Sequence, residues 1–276
     1  MPNIEITPLK LSTWRKIALG TWGNGGDPSV YGVLEVDASK ILERQKKWLE
    51  RTKIRAPTLT AIIARVTALT LAKHPQINGL IRFGRIYNRK SVNLFLQTAV
   101  DDAGEDLSGV TIAEADKKSL EQISQELFQK AKAIRENKDP VFKKTKSSFS
   151  LIPPWLMRWV LNGMSFFLYT LNLNLQWLGL PKDPFGSVMI TSIGGLGLDQ
   201  AFAPLVPYSR VPLLLAVGAI KEIPVAVNGQ VKVAPVFKLC ATFDHRFIDG
   251  VHASKMAKTM RSFLETEEGL NAVGLL

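Results

Sequence analysis

A continuous apolar run, VPLLLAVGAI at positions 211–220, constrains the fold of this chain more than any other segment. It suits a strand that is buried on both faces, because no polar residue alternates with the apolar ones. The segment VAVNGQVKV (225–233) follows, and its Asn228-Gly229 pair predicts a hairpin, since both central residues of a type I′ turn need a positive φ. The next segment, VFKLCATFD, predicts a further strand that ends directly before His245.

Helical and strand patterns alternate along the rest of the chain. The segments with helical spacing of apolar residues are 38–53, 58–75, 119–137 and 252–265. The segments predicted as strands are VYGVLEVD (30–37), RFGRIYN (82–88) and SVNLFLQTAVDD (91–102). The first strand is expected to be half-buried. We therefore predict a single domain over residues 1–276, of the mixed α/β class (an α+β sandwich), with one large sheet and helices packed on it.

Composition limits the partners. The net charge of +11 predicts an anionic partner, either a phosphate-bearing cofactor or an anionic membrane surface. Nucleic acid is not expected, because the sequence has no zinc-finger spacing and no ribonucleoprotein aromatic motif. The single cysteine, Cys240, excludes an internal disulfide and a thiolate metal site. No apolar signal segment follows Met1, so the expected location is the cytoplasm.

The stretch ATFDHRFIDG (241–250) places His245 between a strand and a glycine-containing turn. Two interpretations fit. The turn is either a solvated group of ion pairs that closes the strand, or the site of a general base. A histidine at a strand end can have one ring nitrogen fixed by a backbone carbonyl, which leaves the other to act as the base. Gly250 would allow a sharp turn just beyond it.

A second candidate group lies in SVMITSIGGLG (187–197), where a strand meets a glycine-rich turn. The hydroxyl group of Thr191 or Ser192 could donate a hydrogen bond to a developing oxyanion at this position. The alternative is that both hydroxyls only satisfy the backbone of the turn.

The segment FDHRFIDG resembles the DHRxxDG signature of the 2-oxoacid dehydrogenase acyltransferase catalytic domains, which are relatives of chloramphenicol acetyltransferase. Four further segments resemble that family in the same order: EITPLKLSTWRKIA, AKHPQING, AKAIREN and GSVMITSIGGLGLDQAFAPLVP. The resemblance covers nearly the whole chain except about 143–185. It implies a chloramphenicol acetyltransferase-like fold with a mixed central sheet.

The resemblance also implies a mechanism. His245 would take a proton from a thiol, either of coenzyme A or of the acceptor, and the thiolate would attack a thioester. Thr191 matches the family's hydroxyl that holds the oxyanion, with Ser192 as the second candidate, and Asp249 would hold the His245 turn by an ion pair. The substrate would be an acyl-CoA, with no tightly bound cofactor and no metal. The family's active sites lie between neighbouring subunits of a trimer, so a homotrimer is implied, and the resemblance leaves a larger assembly open.

Two departures from the family pattern affect these expectations. No lipoyl domain precedes the catalytic region, so we expect a stand-alone enzyme. Thr21 stands where the family has the arginine that pairs with the aspartate of the signature. Arg15 or Arg246 could replace that arginine as the partner of Asp249.

A third departure is DDAGEDLSGVTI (101–112), which stands where the family has a mostly uncharged strand and turn, so the path of the acyl group or of pantetheine is expected to differ. The inserted segment at about 143–185 is the most informative departure. Residues 159–181, WVLNGMSFFLYTLNLNLQWLGLP, carry no charge and follow the basic KKTK (143–146). Three structures fit this pattern: a membrane-spanning helix, which needs about 20 apolar residues; an interfacial helix or hairpin; and a buried lid or subunit contact. The aromatic and basic residues favour peripheral contact with the inner face of a membrane.

The leading hypothesis is a CoA-dependent acyltransferase with a hydrophobic acyl chain or acceptor. One alternative is a non-catalytic trimeric scaffold that binds CoA esters. Another is a dihydrolipoyl acyltransferase core that receives its lipoyl domain from a separate protein.

Overall fold

A computed structural model describes residues 2–8, 27–52, 55–99, 107–136, 152–178 and 180–275 of the chain. The α-helices of these residues are, in chain order, α1 Ser39–Thr52, α2 Leu59–Lys73, α3 Leu120–Arg135, α4 Pro154–Ser165, α5 Gly250–Glu265 and α6 Glu267–Val273. The strands are β1 Ile6–Pro8, β2 Ser29–Asp37, β3 Gly79–Arg82, β4 Arg85–Arg89, β5 Leu94–Ala99, β6 Leu107–Ile112, β7 Val188–Ser192, β8 Leu213–Val217, β9 Lys221–Val227 and β10 Gln230–Asp244.

The main sheet has seven strands in the order β2-β10-β8-β7-β5-β6, with β9 paired to β10. Strand β8 lies inside it and is buried at all five positions, as its apolar sequence predicted. β7 runs parallel to β5 and β8, whereas the other pairs are antiparallel, so the sheet is mixed. The predicted hairpin is also confirmed: Asn228 has φ 52° and Gly229 has φ 77° between β9 and β10.

The two faces of the sheet are covered differently. Helices α2, α3 and α5 pack around the face that carries Leu213 and Leu215. Helix α2 is the most buried of them, and α3 begins with the capping box of Ser119 and Gln122. The opposite face, which carries Leu214, is covered by residues of the loop before β8, including Leu205. This loop explains why β8 needs apolar residues on both sides.

One strand prediction needs correction. RFGRIYN is not one strand but the turn and second arm of the β3–β4 hairpin, because Phe83 (φ 47°) and Gly84 (φ 66°) reverse the chain.

Strand β2 begins one residue earlier than predicted and is half-buried, as expected. Leu34 and Val36 face the core, and Glu35 between them is exposed. The strand lies at the edge of the sheet and also exposes Val30 and Tyr31.

The inserted segment has two parts with opposite environments. Helix α4 presents Trp155 and Trp159 to the outside, with exposed fractions of 74% and 72%. A π-helical turn, Phe166–Thr170, follows and buries Leu168 and Tyr169 in a cluster beside the small β1-β4-β3 sheet.

Polar contacts then fix the end of the segment to the body of the protein. Asp183 forms a buried ion pair with Arg89, with 2.6 Å between its Oδ2 and the arginine Nη1, and its backbone N–H donates to Asn3. Within the described residues, no helix is both long enough and apolar enough to cross a membrane.

Candidate active site

His245 lies at the first position after β10, where the chain turns towards α5. The backbone holds this position on both sides. The amide N–H of His245 donates to the carbonyl of Pro28 at 2.9 Å, and the carbonyl of Asp244 accepts from the N–H groups of Phe247 and Ile248. The backbone of the turn is therefore fixed independently of the imidazole.

The imidazole itself is oriented by the backbone, as we predicted. Its Nδ1 lies 3.1 Å from the carbonyl oxygen of Ile248. A carbonyl oxygen only accepts hydrogen bonds, so Nδ1 must carry the proton in this contact. The lone pair of the neutral ring is then on Nε2, which is the arrangement that a general base requires. The ring is partly exposed.

The acidic and basic neighbours of His245 pair with each other. Asp244 receives hydrogen bonds from the Arg246 guanidinium, at 3.0 Å from Nε to Oδ1 and 2.7 Å from Nη2 to Oδ2. These bonds raise the pKa of Arg246 above its ordinary value. The ion-pair interpretation of the turn is therefore correct for Asp244 and Arg246, and it coexists with an oriented histidine.

Asp249 lies four residues beyond His245 and forms the N-cap of α5. Its Oδ1 accepts from the backbone N–H of His252 at 3.0 Å and lies 2.9 Å from the Nδ1 of the same residue. The ion pair that the structure describes for Arg246 is with Asp244. Arg15 and Thr21 lie outside the described residues.

Gly250 has a different role from the one expected. It is the first residue of α5 and does not have a positive φ, and a Cβ atom there would meet nothing within 4 Å. The turn at His245 is made by the backbone hydrogen bonds to Asp244 and does not depend on the freedom of a glycine.

Thr191 and Ser192 lie at the end of β7, where the prediction placed them. Thr191 is partly buried and Ser192 is exposed. Among the described residues, neither hydroxyl group forms a hydrogen bond, whereas the following turn is closed by its own backbone, with Leu196 N–H bonded to the Ile193 carbonyl. The alternative in which these hydroxyls satisfy the turn is therefore wrong. A hydroxyl without a partner there is able to donate to a ligand.

The register of the sheet separates Thr191 from His245 within one chain. Thr191 lies beside Ala216 on β8, and Ala216 lies beside Cys240 on β10. Asp244, the last residue of β10, is four residues beyond Cys240, which corresponds to about 13 Å along the strand. The two intervening strand spacings add about 10 Å sideways. The two groups thus lie at opposite ends of the sheet.

A cleft of about 500 Å³ lies beside the His245 turn. Its lining includes Pro28, Asp244 and Arg246, together with Arg210 and with Ser165 of α4. Sequence analysis did not identify Arg210. Its contact with Ser165 spans 45 positions in the chain, and no local pattern indicates it.

Residues 24–152 and 184–272 match the model of the 2-oxoacid dehydrogenase acyltransferase catalytic domain. The chain belongs to this family. Residues 153–183, which include α4 and the π-helical turn, lie between the two matched stretches.

Individual members of the family are distant in sequence. The chain is 24% identical over 240 residues to the dihydrolipoyllysine-residue acetyltransferase component of the acetoin cleaving system of Bacillus subtilis. This alignment covers 86% of the chain and 49% of that relative, so the chain spans about half the length of the curated relative.

Solved structures of the family share the fold. The cubic core of the pyruvate dehydrogenase multienzyme complex superimposes with a TM-score of 0.65 at 19% identity, over 98% of this chain and 94% of that one. A chloramphenicol acetyltransferase gives a TM-score of 0.55 at 13% identity, over 95% of this chain and 100% of that one. The fold is therefore chloramphenicol acetyltransferase-like, as the signature implied.

The side chains that could bind a metal ion were compared for their positions in the fold. In the described ranges, no three side chains of His, Cys, Asp or Glu come together in an arrangement that could hold a metal ion. The single cysteine, Cys240, is buried. Burial raises the pKa of its thiol, which fits a small apolar side chain rather than a reactive one.

Proposed function

We propose that this chain catalyses acyl transfer between a coenzyme A thioester and an acceptor, with His245 as the general base. The observation that carries the proposal is the contact of the His245 Nδ1 with the Ile248 carbonyl, in the catalytic domain of an acyltransferase family. This contact orients the ring and assigns the lone pair to Nε2.

We propose the following reaction for these groups. Nε2 of His245 accepts the proton of the attacking thiol, and the sulfur bonds to the thioester carbonyl carbon. The carbonyl oxygen becomes a tetrahedral oxyanion, which accepts a hydrogen bond from the hydroxyl of Thr191, with Ser192 as the second candidate. The intermediate collapses, the bond to the first sulfur breaks, and that sulfur recovers the proton from His245.

Asp249 supports this arrangement indirectly. It caps α5 and pairs with His252 directly after the His245 turn. A carboxylate at a helix N-terminus accepts from otherwise unpaired N–H groups. We therefore infer that Asp249 positions the turn and does not contact the substrate.

The active site would form between two protomers. Within one chain, Thr191 and His245 lie at opposite ends of the sheet, so both can reach one thioester only if a neighbour supplies one of them. The edge strand β2 exposes Val30, Tyr31 and Val33, which is a surface suited to contact another protomer. We infer the homotrimer that the family resemblance implies.

Two kinds of molecule are candidates for the acceptor of the acyl group. The relative from Bacillus subtilis is a dihydrolipoyllysine-residue acetyltransferase, and this favours a dihydrolipoyl thiol as the acceptor. The other candidate is a non-thiol acceptor with a hydrophobic body, as the exposed aromatic residues of α4 suggest.

One assay separates these functions. The protein is incubated with acetyl-CoA and longer acyl-CoAs, together with dihydrolipoamide or with alcohols and amines. Transfer to dihydrolipoamide leaves the total thiol unchanged and is followed as S-acyl product by chromatography, whereas transfer to an alcohol or amine releases free CoA thiol. Binding of acyl-CoA without turnover of any acceptor would overturn the catalytic proposal in favour of a scaffold.

The outer face of α4 supports a peripheral membrane contact. Trp155 and Trp159 lie on one side of the helix, Trp177 is 79% exposed, and Arg158 adds a positive charge beside them. Tryptophan prefers the interface of a bilayer, and a cation near an anionic surface adds about 1 kcal/mol.

Liposome sedimentation tests this contact without removing the Arg89–Asp183 ion pair. The protein is expected to bind anionic liposomes at low salt and to bind less as salt rises. A double change, Trp155→Ser with Trp159→Ser, should abolish the binding, and Phe128→Ser, which removes an exposed aromatic residue from α3, should not. Equal binding by the double variant and the wild type would contradict the proposal.

A further inference from the structure

The cleft beside the His245 turn is lined by Arg210, whose guanidinium pairs with no carboxylate of the described residues. Nε of Arg210 donates to the hydroxyl oxygen of Ser165 at 3.0 Å. Among the described residues, its two terminal nitrogens form no hydrogen bond and no ion pair. The guanidinium therefore has unused donors in a cleft that borders the candidate active site.

Among the described residues, neither carboxylate that lines the cleft forms an ion pair with Arg210. Asp244 pairs with Arg246, and Asp27 accepts the backbone N–H of Ser29 at 3.0 Å. Burial lowers the pKa of Arg210, and the positive charge of Arg246 lowers it further.

The backbone of Arg210 ends a short 3₁₀ turn, Pro207–Ser209. Its φ is 56°, the left-handed conformation that commonly ends a helix, and its N–H donates to the carbonyl of Pro207. Here the conformation accompanies a guanidinium that faces Ser165 of α4, which lies outside the stretches matched to the family.

The cleft is connected directly to the catalytic turn. Pro28, which lines it, accepts the backbone N–H of His245, and Asp244 and Arg246 line it on either side of that histidine in the chain. A volume of about 500 Å³ is within the range of small-molecule sites. A thioester or acceptor at Nε2 of His245 could therefore extend a second group into the cleft.

We propose that Arg210 determines specificity by binding an oxyanion group of the substrate in this cleft. The guanidinium fork matches both a carboxylate and a phosphate, because each presents two oxygens to parallel N–H donors. The group is either a carboxylate on the acyl chain or the 3′-phosphate of coenzyme A. This inference rests on the proposed acyl transfer and adds a substrate class to it.

Binding of three thioesters distinguishes the two sources. Acetyl-CoA is compared with succinyl-CoA, which adds a carboxylate, and with acetyl-dephospho-CoA, which lacks the 3′-phosphate. Dissociation constants are measured by calorimetry, and the rate of transfer to dihydrolipoamide is measured in parallel. Arg210→Gln removes the charge, Ser165→Ala removes the contact with α4 and keeps the charge, and Arg51→Gln removes the same charge from the surface of α1.

Arg210→Gln should weaken binding of the thioester that carries the recognised group by about 10- to 100-fold, the effect of one charged hydrogen-bonded contact. If the group is the acyl carboxylate, only succinyl-CoA is affected. If it is the phosphate, acetyl-CoA and succinyl-CoA are affected and acetyl-dephospho-CoA is not. Ser165→Ala and Arg51→Gln should each leave all three constants within about threefold of the wild type.

Two results would overturn the inference while the proposed function stands: unchanged constants in Arg210→Gln, or equal loss for all three thioesters in both Arg210→Gln and Ser165→Ala. The second result would mean that Arg210 only holds α4 in place. If the wild-type protein binds none of the three thioesters, the proposed function itself fails.

Discussion

The two ends of the seven-stranded sheet differ in how their polar groups are satisfied. At one end, His245 is oriented by the Ile248 carbonyl, and Asp244 and Asp249 are engaged by Arg246 and His252. At the other end, the hydroxyl groups of Thr191 and Ser192 have no hydrogen bond among the described residues. The first end is organised before any substrate arrives, and the second offers donors that a substrate or a neighbour must satisfy. In the proposed mechanism, each end supplies half of the catalytic arrangement.

The largest effect on activity is expected at the end of the sheet that carries His245. His245→Ala removes the proposed base and should lower the rate of acyl transfer by about 10²- to 10⁴-fold while the fold is retained. Circular dichroism and turnover with acetyl-CoA and dihydrolipoamide measure both properties.

His74→Gln is the matched control, since the Nε2 of His74 contacts Thr259 at 2.8 Å and does not contact the candidate site. His252 is unsuitable as a control because it pairs with Asp249. Turnover close to that of the wild type in His245→Ala would end the catalytic assignment.

The next largest effect on activity is expected at the other end of the sheet, which carries Thr191. Thr191→Ala removes an oxyanion donor and should reduce kcat by about 10²- to 10³-fold, with a smaller change in KM, because the bond forms mainly in the transition state. Thr191→Ser should retain most of the activity.

Ser192→Ala serves as the neighbouring control. If Ser192→Ala lowers kcat and Thr191→Ala does not, the oxyanion donor is Ser192 and the assignment is off by one position.

The smallest effect should come from the cap of α5. Asp249→Ala removes the acceptor for the His252 N–H and should destabilise the protein by about 0.5–2 kcal/mol, as loss of an N-cap typically does. Asp249→Asn keeps a capping oxygen and should lie close to the wild type in thermal unfolding. A loss of activity in Asp249→Asn at unchanged stability would instead indicate that the carboxylate charge takes part in catalysis.

Local patterns were sufficient to predict the elements that hold each end. The apolar run of β8, the Asn228-Gly229 hairpin and the strand that delivers His245 all have signals within a few residues of sequence. The Phe83-Gly84 turn was missed because a bulky residue such as Phe83 rarely adopts a positive φ.

Features that depend on contacts between residues far apart in the sequence could not be predicted from local patterns. The separation of Thr191 from His245 follows from the order β10-β8-β7, and strand order is not encoded in a local pattern. The contact of Arg210 with Ser165 depends on how the segment between the family-matched stretches packs against the cleft. The family signature was necessary to connect the two sheet ends as parts of one reaction.

The central claim is that the two ends act together across protomers, and subunit mixing tests it most directly. His245→Ala and Thr191→Ala chains are co-expressed with different tags, and assemblies that carry both tags are isolated and assayed. In a trimer that carries both variants, one of the three interfaces combines an intact His245 with an intact Thr191, so the isolated mixture should recover about a third of the wild-type rate, far above either variant alone. Mixing His245→Ala with the His245→Ala/Thr191→Ala double variant should give no recovery. If the first mixture is as inactive as its parent variants, the two ends do not form a shared site and the account is wrong.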